Sequence, residues 1–176
     1  MKLNVKNLVT TAMLIAVGLI LPTFFHAFPG GGPAALPMHL PVLICGMVCG
    51  PIYGAVCGFI LPLLSSFTGM PPLPVAFTMA FELCTYGLVT GLLYRTFKQN
   101  IYVSLIGGML CGRVVSGVAN AILMGVMGKP YGLNTFLTAS FVTGLPGIVI
   151  QLIAVPLIVV ALTKAGFVNN PKLSAA

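Results

Sequence analysis

Two ionisable side chains stand deep inside apolar runs of the sequence, Glu82 and Arg113. Charges in such surroundings are costly. They persist either as a matched pair or as part of a binding or ion pathway. Glu82 lies 13 residues before Arg95, and Arg113 lies 12 residues after Ile101. On helices that rise ~1.5 Å per residue, both charges stand ~18–20 Å from the same end. The short connection between the two runs makes them antiparallel neighbours, so the charges can meet. Two readings follow. The pair is a structural ion bridge, or Arg113 faces a cavity and its planar fork of donors grips a carboxylate or phosphate.

Other polar residues gather around these two. Arg113, Ser116, Gly117, Asn120 and Met124 follow the spacing of one helical face. A polar stripe exposed to hydrocarbon is expensive, so this face is expected to look into protein or water. Tyr86 lies one turn below Glu82, with Thr78 and Phe77 above it. Gln151 lies inside the last apolar run, with Thr143 and Ser140 above it. His39, at the start of another run, reads either as a capped helix end or as a ligand. Together these residues outline a small polar site. Catalytic signatures are missing: the sequence has no HExxH, no GxSxG and no phosphate-binding loop, and one acid cannot form a carboxylate dyad. Cys45, Cys49, Cys57, Cys84 and Cys111 form no CxxC pair and lie in apolar runs, so neither a metal site nor a cofactor is expected.

The elements that must position this chemistry are membrane helices. The chain has 176 residues, 59% of them hydrophobic and 5% charged, with a mean hydropathy of +1.12. A soluble domain carries about 25% charged residues. Eight basic residues and one acid cannot cover the surface of a water-soluble enzyme. The basic residues are scattered, which argues against a nucleic-acid surface. Four stretches satisfy the ~20 apolar residues a spanning helix needs, at about 7–27, 74–95, 101–127 and 139–164. The first could be mistaken for a cleaved signal peptide, but its apolar run continues through Phe24 and Phe25 with no small-residue cleavage site. The region 37–67 is too long for one crossing, at ~46 Å. Gly50-Pro51 divides it into helices at about 37–49 and 52–67.

Charge selects among topologies. With six helices, Lys2, Lys6, Arg95, Lys98, Lys164 and Lys172 share one side and only Lys129 lies on the other. The positive-inside rule therefore predicts a single membrane domain over 1–176, a compact all-α bundle of six transmembrane helices with both termini in the cytoplasm. Loops 25–37, 67–74 and 128–138 then lie outside and are rich in Gly and Pro. They read as lids or as plain connectors.

Small residues complete the picture. Ala12 and Ala16 are four apart on one face of the first helix, fit to pack against a helix of the same chain or to dock a partner. Gly46, Gly50, Gly54 and Gly58 repeat every four residues and read as close-packing patches on either side of the turn.

These features resemble the substrate-binding S components of energy-coupling factor (ECF) vitamin transporters. The likeness covers nearly the whole chain. It is carried by the six-helix pattern, the Ala12/Ala16 face, the Gly/Pro-rich first external loop, and the stretch 38–74 followed by FELCTYGLVTGLLYR. The resemblance implies a non-enzymatic subunit in a prokaryotic plasma membrane. It implies high-affinity capture of a water-soluble vitamin, and partnership with a transmembrane coupling subunit and two cytoplasmic ATPases. It implies docking of that coupling subunit on Ala12 and Ala16, and a site that includes Glu82, Tyr86, Arg113, Asn120 and Gln151, to which the residue pattern adds His39 as a candidate. An anionic vitamin such as pantothenate or niacin suits a free Arg113, and a neutral one such as pyridoxine suits an Arg113 neutralised by Glu82. Two other readings of the residues remain: a solitary permease or channel lined by the fifth helix, and a scaffold subunit in which the ion pair is purely structural.

Overall fold

The computed structural model describes residues 4–26, 36–69, 71–128 and 132–165. Among them the chain is all helical, with no strand. The principal helices are α1 (Val5–His26), α2 (His39–Cys49), α3 (Pro51–Phe67), α4 (Leu73–Gly91), α5 (Ile101–Val126) and α6 (Leu145–Lys164). A short helix, Leu133–Leu137, lies between α5 and α6. Four segments are long and apolar enough to cross a membrane, Val5–Pro22, Leu73–Thr96, Ile101–Val126 and Leu145–Lys164, whereas α2 and α3 are shorter apolar helices.

The division of the 37–67 region has a backbone cause. Gly50 has φ 111° and ψ 172°, a conformation that a residue with a Cβ avoids. Pro51 then opens α3, where its missing N–H leaves no intrahelical bond unmade. The chain thus reverses between Cys49 and Pro51, and α2 and α3 return side by side.

Glycine lets the α2–α3 hairpin close onto α4. A Cβ built on Gly54 would stand 2.6 Å from both the Gly46 Cα and the Gly87 carbonyl oxygen. One built on Gly91 would stand 2.6 Å from the Pro51 Cα. These backbones are in direct contact, the arrangement that small residues make possible between membrane helices. The four-residue glycine repeat is therefore matched by Gly87 and Gly91 on α4.

The same contacts fix the relative heights of the helices. His39 at the start of α2 stands beside Glu82, about half way along α4. Gly50 at its end stands beside Arg95. With 11 residues, α2 is ~16 Å long and covers only the half of α4 nearest Arg95. It is a half-length helix that begins at the level of the buried carboxylate.

α1 lies along the hairpin. The Asn7 side-chain amide donates to the Cys49 carbonyl at 3.2 Å, the Asn4 backbone N–H donates to the Tyr53 hydroxyl at 3.2 Å, and Thr11 Oγ1 lies 3.5 Å from Cys45 Sγ. Gly18 faces Leu61 and Pro41. The opposite face of α1 is exposed.

The sixth apolar run differs from expectation at its start. Regular α-helix begins at Leu145, and Thr138–Thr143 form a π-helical turn instead. Pro146 explains the break, because it has no N–H and its ring excludes the carbonyl four residues back. α4 likewise loosens into a π-helical turn over Leu92–Thr96 before the chain turns at Lys98, whose φ is 51°.

The glycine contacts predict a position-specific sensitivity. Gly54→Leu or Gly87→Leu forces backbones apart and should lower the thermal unfolding midpoint of the purified protein sharply, by more than the ~1–3 kcal/mol of ordinary overpacking. Gly125→Leu, where a Cβ meets nothing within 4 Å, should leave it unchanged.

Candidate functional site

The site is built on the seam between α4 and α5. Here too glycine sets the approach. A Cβ on Gly112 would press on the Tyr86 ring at 2.8 Å, and Gly108 lies against Thr90. That antiparallel register brings Arg113 level with Glu82. Arg113 Nη1 donates to Glu82 Oε1 at 3.2 Å. One turn further along α5, Ser116 Oγ donates to Glu82 Oε2 at 2.8 Å. Both carboxylate oxygens therefore receive a donor. Glu82 is 5% exposed and Arg113 9%. Removing either partner would leave the other charge buried and unmatched.

Two aromatic rings form the floor of this centre. His39 is 2% exposed, and its Nε2 lies 3.6 Å from Glu82 Oε1, just beyond hydrogen-bond distance and within ion-pair reach when the ring is protonated. Among the described residues, neither ring nitrogen of His39 has a hydrogen-bond partner. The ring meets Tyr86 edge-on, with centroids 5.1 Å apart. His39 is therefore part of the buried centre rather than an exposed helix cap. It gets there because α2 starts at mid-height.

The polar stripe of α5 continues upward from the pair. Asn120 Nδ2 donates to the Ser116 carbonyl at 2.9 Å and approaches Ser116 Oγ at 3.3 Å. Gly117, Asn120 and Met124 are half-buried, while Val114, Val118 and Ile122 on the other side are exposed. The stripe faces protein, as its polarity requires. The short helix Leu133–Leu137 packs against it: a Cβ on Gly117 would stand 2.8 Å from the Phe136 ring. Phe136 is a contact that the sequence pattern did not single out. Ser116 was legible only as a member of the stripe, and its bond to Glu82 depends on the helix register.

The remaining candidates divide. Gln151 is buried on α6, and its amide nitrogen has no hydrogen-bond partner. Thr78 is buried but donates to the Val75 carbonyl of its own helix. Phe77 and Thr143 are exposed and stand apart from the centre. The Ser140 side chain and most of the first loop lie outside the described residues. Ala12 and Ala16 are both exposed, on a face shared with Val9, Met13, Val17 and Ile20. The face of α1 that packs within the chain is the other one, carrying Thr11, Gly18 and Pro22. Packing of the alanine face inside the chain is thereby overturned. No group of three or more His, Cys, Asp or Glu able to hold a metal occurs among the described residues.

Apolar helices with a buried, charge-matched polar centre define a multi-pass membrane protein. Its surface is made for lipid and its polarity is turned inward. Residues 6–159 match the family described as ECF transporter, substrate-specific component, and the chain belongs to that family. Its members are substrate-binding transporter subunits rather than enzymes, and they act with transmembrane and ATPase partner subunits. No curated protein and no solved structure matches the chain at a significant level.

The geometry of the pair makes a thermodynamic prediction. Glu82→Ala should destabilise the protein by about 3–5 kcal/mol, because it strands a buried guanidinium. The double change Glu82→Leu with Arg113→Leu should recover much of that loss in a chemical unfolding series. A double variant no better than the single one would show that the two charges do not act as a pair.

Proposed function

We propose that this chain captures a small water-soluble vitamin or related micronutrient and carries it across a prokaryotic plasma membrane as the S component of an ATP-driven importer. In this reading the bundle crosses the membrane six times and both termini are cytoplasmic. The charge distribution supports that orientation: Arg95, Lys98 and Lys164 fall at the end of the bundle where α1 begins. The half-length α2 and its partner α3 then complete the bundle beside the four longer helices. In this reading the solute is held at the buried centre of His39, Glu82, Tyr86, Arg113 and Asn120. Gln151 contributes from α6.

The observation that carries the reading is the closed Glu82–Arg113–Ser116 network beneath a polar stripe that turns away from lipid. It also bears on the cargo. The Glu82 carboxylate and the Arg113 guanidinium offset each other as a matched pair. Burying a further net charge beside a matched pair is unfavourable in a low dielectric. A neutral polar solute of the pyridoxine type therefore fits better than pantothenate or niacin. His39, the Gln151 amide and the free donors of Arg113 offer it hydrogen bonds, and Tyr86 and Phe136 offer ring faces.

Transport needs a power source that this sequence lacks, since it contains no ATP-binding motif. The coupling subunit and two ATPases of the family supply it. Ala12 and Ala16, on the exposed face of α1, are the docking point for the coupling subunit. Two methyl groups in a row of larger side chains leave a shallow track in which another helix can lie close.

Mass spectrometry of small molecules released from the purified protein tests the reading. A single neutral, water-soluble compound in near-stoichiometric amount is expected, with at least a hundredfold loss of affinity in Arg113→Ala. Finding no retained or titratable small molecule, or unchanged binding in Arg113→Ala, would remove the assignment. Ala16→Leu should keep the ligand and lose co-purification with the coupling subunit. The reverse pattern would misplace both sites.

A further inference from the structure

A second cleft lies at the other end of the bundle, away from the Glu82 centre. One wall is the end of α4 and the start of α5, with Tyr94, Asn100 and Val103. The other wall is the last three turns of α6, with Leu152, Pro156 and Leu157. Its lining is mainly apolar, with Tyr94, Gln99, Asn100 and Tyr102 carrying polar groups. Tyr94 is 2% exposed, lines the cleft, and its hydroxyl has no hydrogen-bond partner among the described residues. A hydroxyl buried without a partner is uncommon and calls for one.

Two lysines follow closely on lining residues in the chain. Leu152, Pro156, Val160 and Lys164 succeed one another every four residues on α6, so the wall of the cleft ends in an ammonium group. On the opposite side, Lys98 sits in the turn beside Gln99 and Asn100, which line the cleft. Both lysines are exposed. Acidic side chains cannot oppose them, because the sole acid of the sequence is Glu82 at mid-height.

We infer that this cleft binds an anionic phospholipid of the leaflet that faces the Arg95 end. An acyl chain lies along Leu152, Pro156 and Leu157, the ester region meets the Tyr94 hydroxyl and Asn100, and the phosphate sits between Lys98 and Lys164. Basic pockets between membrane helices select anionic headgroups in this way. A neutral apolar segment of a partner helix would make no use of two lysines and a buried hydroxyl. The inference does not depend on which solute the chain carries.

Native mass spectrometry of the purified full-length chain, titrated with phosphatidylglycerol and separately with phosphatidylcholine, reads the outcome. Phosphatidylglycerol should be retained preferentially, and the preference should fall as salt is raised. K98Q/K164Q changes only exposed groups and should erase the preference, a loss of about thirtyfold at the usual contribution of a lysine near an anionic headgroup. Leu157→Trp, which narrows the cleft from its exposed rim, should weaken both lipids. Equal retention of the two lipids in the parent chain, or an undiminished preference in K98Q/K164Q, would overturn the proposal. So would a Leu157→Trp variant that keeps its lipid and loses co-purification with the coupling subunit, since the cleft would then be a protein-docking surface.

Discussion

A lone carboxylate in an apolar bundle must find its counter-charge locally, because no water is at hand to solvate it and no second acid can share the burden. Glu82 meets this constraint through Arg113 and Ser116, one on each oxygen. The consequence extends well beyond the pair. Satisfying both oxygens fixes the sliding register of α5 on α4 to within a fraction of a turn. A shift by one residue would carry Arg113 toward lipid. The register in turn points Asn120 and Gly117 inward and turns Val114, Val118 and Ile122 outward. One electrostatic requirement thus orients the longest helix of the protein.

Close backbone packing provides the other half of the design. α2, α3 and α4 approach until a Cβ at Gly54 would collide with two backbones at once. Helices in hydrocarbon gain nothing from hiding apolar surface from water, so close van der Waals contact has to hold them together. The glycines supply it. They also hold α2 at a height where its first residue, His39, reaches the carboxylate. A half-length helix leaves the part of α4 and α5 beyond His39 to other partners, and the Phe136 contact on Gly117 shows the short helix Leu133–Leu137 packed against α5.

The outward surfaces are differentiated as well. α1 buries Thr11, Gly18 and Pro22 against the hairpin and presents Ala12 and Ala16 outward. At the Arg95 end, a cleft around Tyr94 opens between the start of α5 and α6. A small transport subunit has to satisfy a solute, a protein partner and the surrounding lipid with very few residues. In the proposed reading the three demands fall on different faces of the same helices.

Much of this could be read from the sequence alone. Hydropathy and the count of charges determine a helical membrane protein. Gly50-Pro51 determines where the long apolar region divides, since glycine alone accepts the φ found there. Helical periodicity determines that Arg113, Ser116 and Asn120 share a face, and equal distance from a common loop determines that Glu82 and Arg113 can meet. Periodicity is silent on which way a face of small residues points, so only the tertiary structure decided that Ala12 and Ala16 lie outside. Only packing decided that α2 begins at mid-height, bringing His39 and Tyr86 onto the carboxylate, or that Tyr94 is buried without a partner. These outcomes depend on the relative heights of helices far apart in sequence. Heights are set by contacts between backbones, and no single helix encodes them.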